Sequence, residues 1–248
     1  MGNGKLRGFL IALMLLVFAA GIASILYPYL WGAKVDREIT QTAEEFLNPS
    51  DLPTEPVVEI LGSEQEPKAY PDLWADMVRY NETIFTQGQA GLSCAYDYQQ
   101  PSFRLADYGL TSEVFGVISI PAMDLEMPIY LGATEQHMAD GAAHMSQTSL
   151  PIGGENTNCV IAGHRGYSGA SYFRYIDTLK VGDLVYVTNL WETLTYRVSE
   201  IQIIDPHEVE KILIQPGREL LTLLTCHPYA SGGRQRYVVF CERIPITA

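Results

Sequence analysis

The chain has 248 residues, 47% of them hydrophobic, enough for one sizeable domain plus an accessory region once a membrane segment is set aside. Its formal net charge of −13 argues against a nucleic-acid partner, because phosphate binding needs clustered Lys and Arg. The four cysteines, Cys94, Cys159, Cys226 and Cys241, show no C-x-x-C pattern and no zinc-ligand spacing, so no metal and no cofactor is expected.

Between Arg7 and Lys34 there is no charged residue. About 20 apolar residues suffice to cross a bilayer, and this run exceeds a usual signal-peptide core. A cleaved leader with its small-residue site at Ala19 to Ser24 is the competing reading; the length favours a retained anchor. Lys5 and Arg7 flank its start, which predicts a cytoplasmic N-terminus, a single pass and an exported remainder. Tyr27, Tyr29 and Trp31 fit an aromatic belt at the outer interface. Export would permit disulfides.

Residues 34 to about 72 are polar and punctuated by prolines, which predicts a helical start from Glu38 to Phe46 and then a stalk. Pro71 to Thr86 has helical periodicity, with Leu73, Met77, Tyr80 and Ile84 on one face. Gly88 to Tyr108 mixes Gly, Ser, Pro and aromatics and reads as an ordered loop.

From Val114 the pattern turns to β. Phe115 to Ile120 and Met127 to Leu131 read as strands around a Pro121–Asp124 turn, and Thr134 to Ala142 as one short helix. Cys159 to Ala162 reads as a central strand and Ser171 to Leu179 as a short helical segment. Leu184 to Val187 and Thr193 to Val198 form a hairpin that Ile201 to Ile204 extends. Glu219 to Thr225 and Arg236 to Ile244 are the last strands. Many short strands with short connections predict a closed barrel or a sandwich.

Three of these strands carry chemistry at their ends. Cys159-Val160-Ile161-Ala162-Gly163 ends on His164, Leu221-Thr222-Leu223-Leu224-Thr225 ends on Cys226, and a further run opens on Arg236. A thiol, an imidazole and a guanidinium converging at one end of a barrel would suit acyl transfer through a thioester. Cys159 and Cys241 sit inside apolar runs and read as small buried hydrophobes. Arg234 and Arg236 would share a face, and Arg236 abuts the apolar run. Arg165 reads as a surface or loop contact; His137, His144, His207 and His227 read as structural histidines.

Thr222-Leu223-Leu224-Thr225-Cys226 resembles the T-L-x-T-C signature of sortases, the Gram-positive cysteine transpeptidases. Ala162-Gly163-His164-Arg165-Gly166 resembles their histidine motif, and Arg236-Tyr237-Val238-Val239 their arginine strand. Phe115 to Pro121, Ser149 to Gly154 and Cys226-His227-Pro228-Tyr229 are similar to the pilin-polymerising class C. The likeness covers about residues 75 to 244.

The resemblance implies an all-β fold with a closed eight-stranded barrel at 113–248. Before it would come a tail (1–7), a transmembrane anchor (8–32), and a stalk, helix and possible lid (33–112). It implies Cys226 as nucleophile, His164 as proton carrier, Arg236 as oxyanion stabiliser and Thr225 as a substrate contact. The substrates would be pilins or surface proteins with LPxTG-like C-terminal signals, and the acceptor a pilin lysine or a cell-wall amine. Two features depart from class C. The lid region reads Asp97-Tyr98-Gln99-Gln100-Pro101-Ser102-Phe103, without the usual contiguous Asp-Pro-aromatic motif. A second membrane helix, common in the class, does not follow before Ala248. As a lid, Asp97 would pair with Arg236 and Tyr98 or Phe103 would cover the thiol; in the alternative these aromatics staple the N-terminal helix to the barrel wall. A wall-anchoring sortase, a secreted cysteine protease and a non-catalytic surface barrel are the alternatives.

Overall fold

A computed structural model describes residues 3–48, 68–92, 100–167 and 169–245, with side chains from Leu6 onward. Two helices come first, α1 (Asn3–Leu47) and α2 (Pro71–Thr86). Then follow β1 (Val114–Ile120), β2 (Leu125–Leu131), α3 (Glu135–Asp140), β3 (Ala142–His144) and β4 (Thr157–Ala162). The chain ends with β5 (Leu184–Asn189), β6 (Thr193–Ile204), β7 (Glu219–His227) and β8 (Gln235–Arg243).

The eight strands close into a barrel in the order β1-β2-β3-β4-β7-β8-β6-β5. Closure leaves no open sheet edge. β4 and β7 pair in parallel, Ala162 opposite Leu224, and β7 and β8 pair antiparallel, Cys226 opposite Arg236. Strand alternation separates two apolar layers. Leu221, Leu223, Val239, Cys159 and Ile161 point into the barrel, where they meet Ile118, Ile129, Val187 and Tyr196. Leu224, Val238, Phe240, Val160 and Ala162 point outward and are covered by Ile212 and Leu92. The sheet is therefore buried on both faces at β4, β7 and β8, whereas β5 alternates between buried and half-exposed positions.

The covering layer is the β6–β7 connection, tied down by polar groups. Buried Asn158 donates from Nδ2 to the Ile212 carbonyl at 2.9 Å and accepts from the Thr222 hydroxyl at 2.7 Å. Gln89 accepts from the Ile214 amide at 2.6 Å and donates to the Gln147 carbonyl at 3.0 Å. A buried amide left unpaired would cost on the order of 1–3 kcal/mol, so these bonds fix the path of the connection.

Glu38 to Phe46 is helical as expected, but as the end of one helix: α1 is continuous through Pro28 to Leu47. Its later turns carry an apolar stripe, Val35, Ile39 and Ala43, that packs against the barrel, and this packing overrides the polar composition. The segment read as helix from Ser171 to Leu179 is mostly turn, with one 3₁₀ turn at Ile176–Thr178. The apolar part of α1 is long enough to cross a membrane and is exposed, which makes it a candidate anchor. The proline-punctuated stretch at 49–67, most of the expected stalk, lies outside the described residues.

Candidate active site

The site is built by three neighbouring strand ends. β4 stops at Ala162, but its path continues beside β7: the Gly163 amide donates to the Leu224 carbonyl at 3.1 Å. The Thr225 hydroxyl donates to the Gly163 carbonyl at 2.7 Å. The next residue on each side is His164 and Cys226. Across the other edge of β7, Cys226 lies directly opposite Arg236. Directly paired residues project to one face, here the outer face that carries Leu224 and Val238 one layer below. The structure thus gathers Cys226, His164 and Arg236 at one end of β4, β7 and β8.

Their environments differ. Cys226 is half-buried at the rim. Arg236 is 3% exposed, and its Nη1 donates to the carbonyls of Gly233 at 2.8 Å and Gln235 at 3.0 Å. Arg234 is exposed. Arg236 is therefore the arginine built into the sheet. His164 stacks on Tyr167 with ring centroids 4.7 Å apart and meets the Tyr172 ring edge-on at 5.7 Å. Burial lowers its pKa from the ordinary value, favouring the neutral imidazole. A cavity of about 280 Å³ lined by Glu135, Gln136, Ala139, His164 and Tyr167 reaches the ring from the α3 side.

Thr225, expected at the substrate, is 1% exposed with its hydroxyl on Gly163, so its contact is with the strand that leads to His164. Phe103 does not cover the thiol. It packs edge-on against Tyr80 at 5.6 Å and beside Tyr108 at 6.3 Å, in the cluster that joins α2 to the barrel. Pro101 packs against Gly132, where its backbone fills the space a Cβ would take and the φ of +83° itself favours glycine. Asp97 and Tyr98 lie outside the described residues. Leu92, the residue before that gap, rests on the outer layer with Ala162, Leu224 and Val238.

Arg165 makes loop contacts, but from a buried position. It is 6% exposed, pairs with Asp177 at 2.8 Å, donates to the Arg174 carbonyl at 3.1 Å and lies 5.2 Å over the Tyr237 ring. Nothing in its sequence neighbourhood signals this, because all three partners come from the fold. His144 is fully buried in β3, with Nε2 3.2 Å from both the carbonyl and the hydroxyl of Thr148, and burial pushes it down to about 4. His137 contacts the Gly132 carbonyl at 2.8 Å and stacks on Tyr130. No cluster of metal-ligating side chains exists among the described residues.

A closed barrel with a cysteine, a histidine and an arginine at adjoining strand ends belongs among cysteine acyl-transfer scaffolds. Residues 118–244 match the Sortase domain family, and the chain belongs to the sortase family, whose members are cysteine transpeptidases. Its structural neighbours are class C pilus sortases. Sortase C1 of GBS Pilus Island 1 superposes with a TM-score of 0.62 at 31% identity over 72% of this chain and 84% of that one. Sortase C-1 from Actinomyces oris gives 0.60 at 33% identity, over 71% of this chain and 100% of that one. Sortase A from Streptococcus agalactiae is 35% identical over 134 residues, 52% of each chain. Sortase D from Bacillus subtilis is 28% identical over 136 residues, 54% of this chain and 66% of that one. This chain thus spans between half and two thirds of these two curated relatives.

Proposed function

We propose that this protein is a membrane-anchored transpeptidase that cleaves an LPxTG-like sorting signal and passes the acyl group to an amine. The supporting observation is the direct cross-strand pairing of Cys226 with Arg236, with His164 at the end of the adjoining strand. His164 takes the thiol proton of Cys226, and the thiolate attacks the threonyl carbonyl carbon. The oxyanion that forms is stabilised by the Arg236 guanidinium, which arginine keeps charged at any working pH. The C–N bond then breaks, and His164 gives its proton to the departing amine, leaving a thioester. An incoming amine attacks the thioester and loses its proton to His164, and the thiolate leaves.

The acceptor is a pilin lysine in this reading, supported by the class C pilus sortases among the structural neighbours. The curated relatives named Sortase A support a second acceptor, a cell-wall amine. Lys5 and Arg7 support a cytoplasmic N-terminus with the 113–248 barrel outside. The test incubates the full chain with an LPxTG-type peptide and either a lysine-bearing pilin or a short cell-wall peptide amine. Mass spectrometry should find a thioester on Cys226 and a new amide with the pilin. Hydrolysed peptide alone in both reactions would make the enzyme a protease.

A further inference from the structure

Among the described residues α1 is exposed from Leu6 to Trp31; from Gly32 onward the helix buries one face. Gly32, Ile39 and Ala43 are buried and Val35, Asp36 and Thr42 half-buried, a spacing of three to four residues that defines a single stripe. Ile39 and Val35 join the barrel core. A membrane tether needs only length, and those two side chains would suffice to dock the helix. Gly32 and Asp36 do something else, because both engage the loop that follows His164.

We infer that the Gly32–Ala43 segment of α1 is a positioning element of the active site, holding the 164–173 loop, and with it the His164 ring, through Asp36–Ser171 hydrogen bonds and a Gly32–Gly169 contact. This rests on the reading of His164 as the proton carrier.

The Asp36 carboxylate accepts from the Ser171 amide at 2.8 Å and from the Ser171 hydroxyl at 3.2 Å. Hydrogen bonds to an ionised acceptor are the stronger kind. Gly169 has φ +91°, and a Cβ on it would stand 2.2 Å from the Pro28 carbonyl oxygen. A Cβ on Gly32 would stand 2.3 Å from the carbonyl carbon and oxygen of Gly169. Two glycines thus let helix and loop meet backbone to backbone.

The loop transmits this grip to the imidazole. At its base the Phe173 amide donates to the His164 carbonyl at 2.9 Å. Above that, Tyr167 and Ala170 exchange backbone bonds of 3.2 and 2.9 Å. Ser171 sits between Ala170 and Tyr172, so Asp36 holds the arch where its two tyrosines attach. Tyr167 stacks on His164, and Tyr172 borders it edge-on while donating to the Ala139 carbonyl at 2.6 Å. The groups facing this assembly are Glu135 from α3 at the His164 cavity, Glu38 from α1 and Tyr130 from β2 in the cavity lined by Tyr167 and Tyr172, and Asp36 and Asp140 beside Tyr172, whose pKa burial pushes up to about 12 with help from both aspartates. A general acid–base must stand within hydrogen-bond reach of the proton it moves. Releasing Ser171 would loosen both tyrosines and let water reach the ring.

The test uses the full chain in nanodiscs, with an LPxTG-type peptide and an amine acceptor. Asp36→Ala should lower kcat about 10- to 100-fold, the scale expected when a catalytic group is misplaced by about an ångström. KM for the peptide should stay within about twofold, since the contact is not with substrate. Hydration of His164 should move its limb of the pH–rate profile upward, toward the ordinary histidine value. Asp36→Asn should restore both, because its amide oxygen still accepts from the Ser171 amide. Wild-type kcat and pH profile in Asp36→Ala overturn the inference, as does an Asn variant as impaired as the Ala variant. If Asp36→Ala fails to fold, Gly169→Val, which pushes the loop off α1, carries the same expectation, and wild-type kcat there overturns it. Failure of the transpeptidase reading would show separately, as absence of a Cys226 thioester in the wild type.

Discussion

The middle and the end of the same group of strands carry the same residue types with opposite properties. In the middle, Cys159 and Cys241 are 3% and 0% exposed, and burial pushes both thiols upward, away from the reactive thiolate. His144, although it ends β3, is 0% exposed, with its ring against the Thr148 carbonyl and hydroxyl, and is held neutral. At the end, Cys226 and His164 are half-buried and Arg236 lies between core and rim. Residue type alone does not make a site here. An uncovered strand end does, because there the backbone is fixed and one side stays open.

The sharpest way to break this comparison is to exchange the cysteines' fates. Cys226→Ala should abolish thioester formation and transfer while the thermal midpoint stays close to wild type. Cys159→Ala and Cys241→Ala should do the reverse, keeping activity and costing on the order of 1–3 kcal/mol in a denaturant titration. His164→Ala should block turnover as Cys226→Ala does. Substantial transfer by the Cys226 variant would sink the assignment of the strand end as the site.

The arginines sharpen the same point at smaller scale. Arg236→Ala should cut kcat/KM by about 100-fold or more through lost oxyanion stabilisation. Exposed Arg234 should tolerate Ala with little change. A larger loss at Arg234 in steady-state assays would reverse the two roles.

His144 gives a stability test with a defined sign. Its folded pKa lies near 4 and its ordinary value at 6.5. Between these the unfolded chain binds the proton and the folded chain does not, so stability falls as pH drops from 6.5 toward 4 and levels off below. The loss from this residue is about 3 kcal/mol. His144→Gln should flatten the pH dependence of denaturant midpoints across that window. An unchanged slope would mean that other groups carry the acid sensitivity.

How much of this was legible in the sequence depends on the kind of signal. The strand around Val187 was readable from its alternation, and those around Ile118 and Ile129 as short apolar runs bounded by the Pro121–Asp124 turn. The three-residue β3 was not, since Ala142-Ala143-His144 has neither length nor β propensity and owes its strand to β2 and β4 on either side. Cys226, His164 and Arg236 were placed by strand-end motifs, and the register brings those positions together. The continuity of α1 was hidden by Pro28 and by the polar residues after Lys34, whose apolar stripe needs a partner surface before it means anything. The Asp36–Ser171 bond was invisible, because partners 135 residues apart in sequence leave no local pattern; the Arg165–Asp177 pair was hidden because the turns between them, not a regular helix or strand, bring the two together.

Phe103 offers the smallest and most discriminating effect. As a lid residue it would slow reagents reaching Cys226; as a staple it would hold α2 to the barrel. The structure sets it between Tyr80 and Tyr108, in the cluster with Leu73, Met77 and Phe115. Tyr80 in turn accepts from the Gln147 amide at 3.0 Å, so the staple reaches the turn after β3. Phe103→Ala removes an aromatic pair and part of a buried ring, a loss of about 1–2 kcal/mol. The denaturant midpoint should fall accordingly. The rate at which a small thiol reagent labels Cys226 should not change, because the ring does not stand over the thiol. Faster labelling with an unchanged midpoint would restore Phe103 to the lid and place the gate on the α2 side of the barrel.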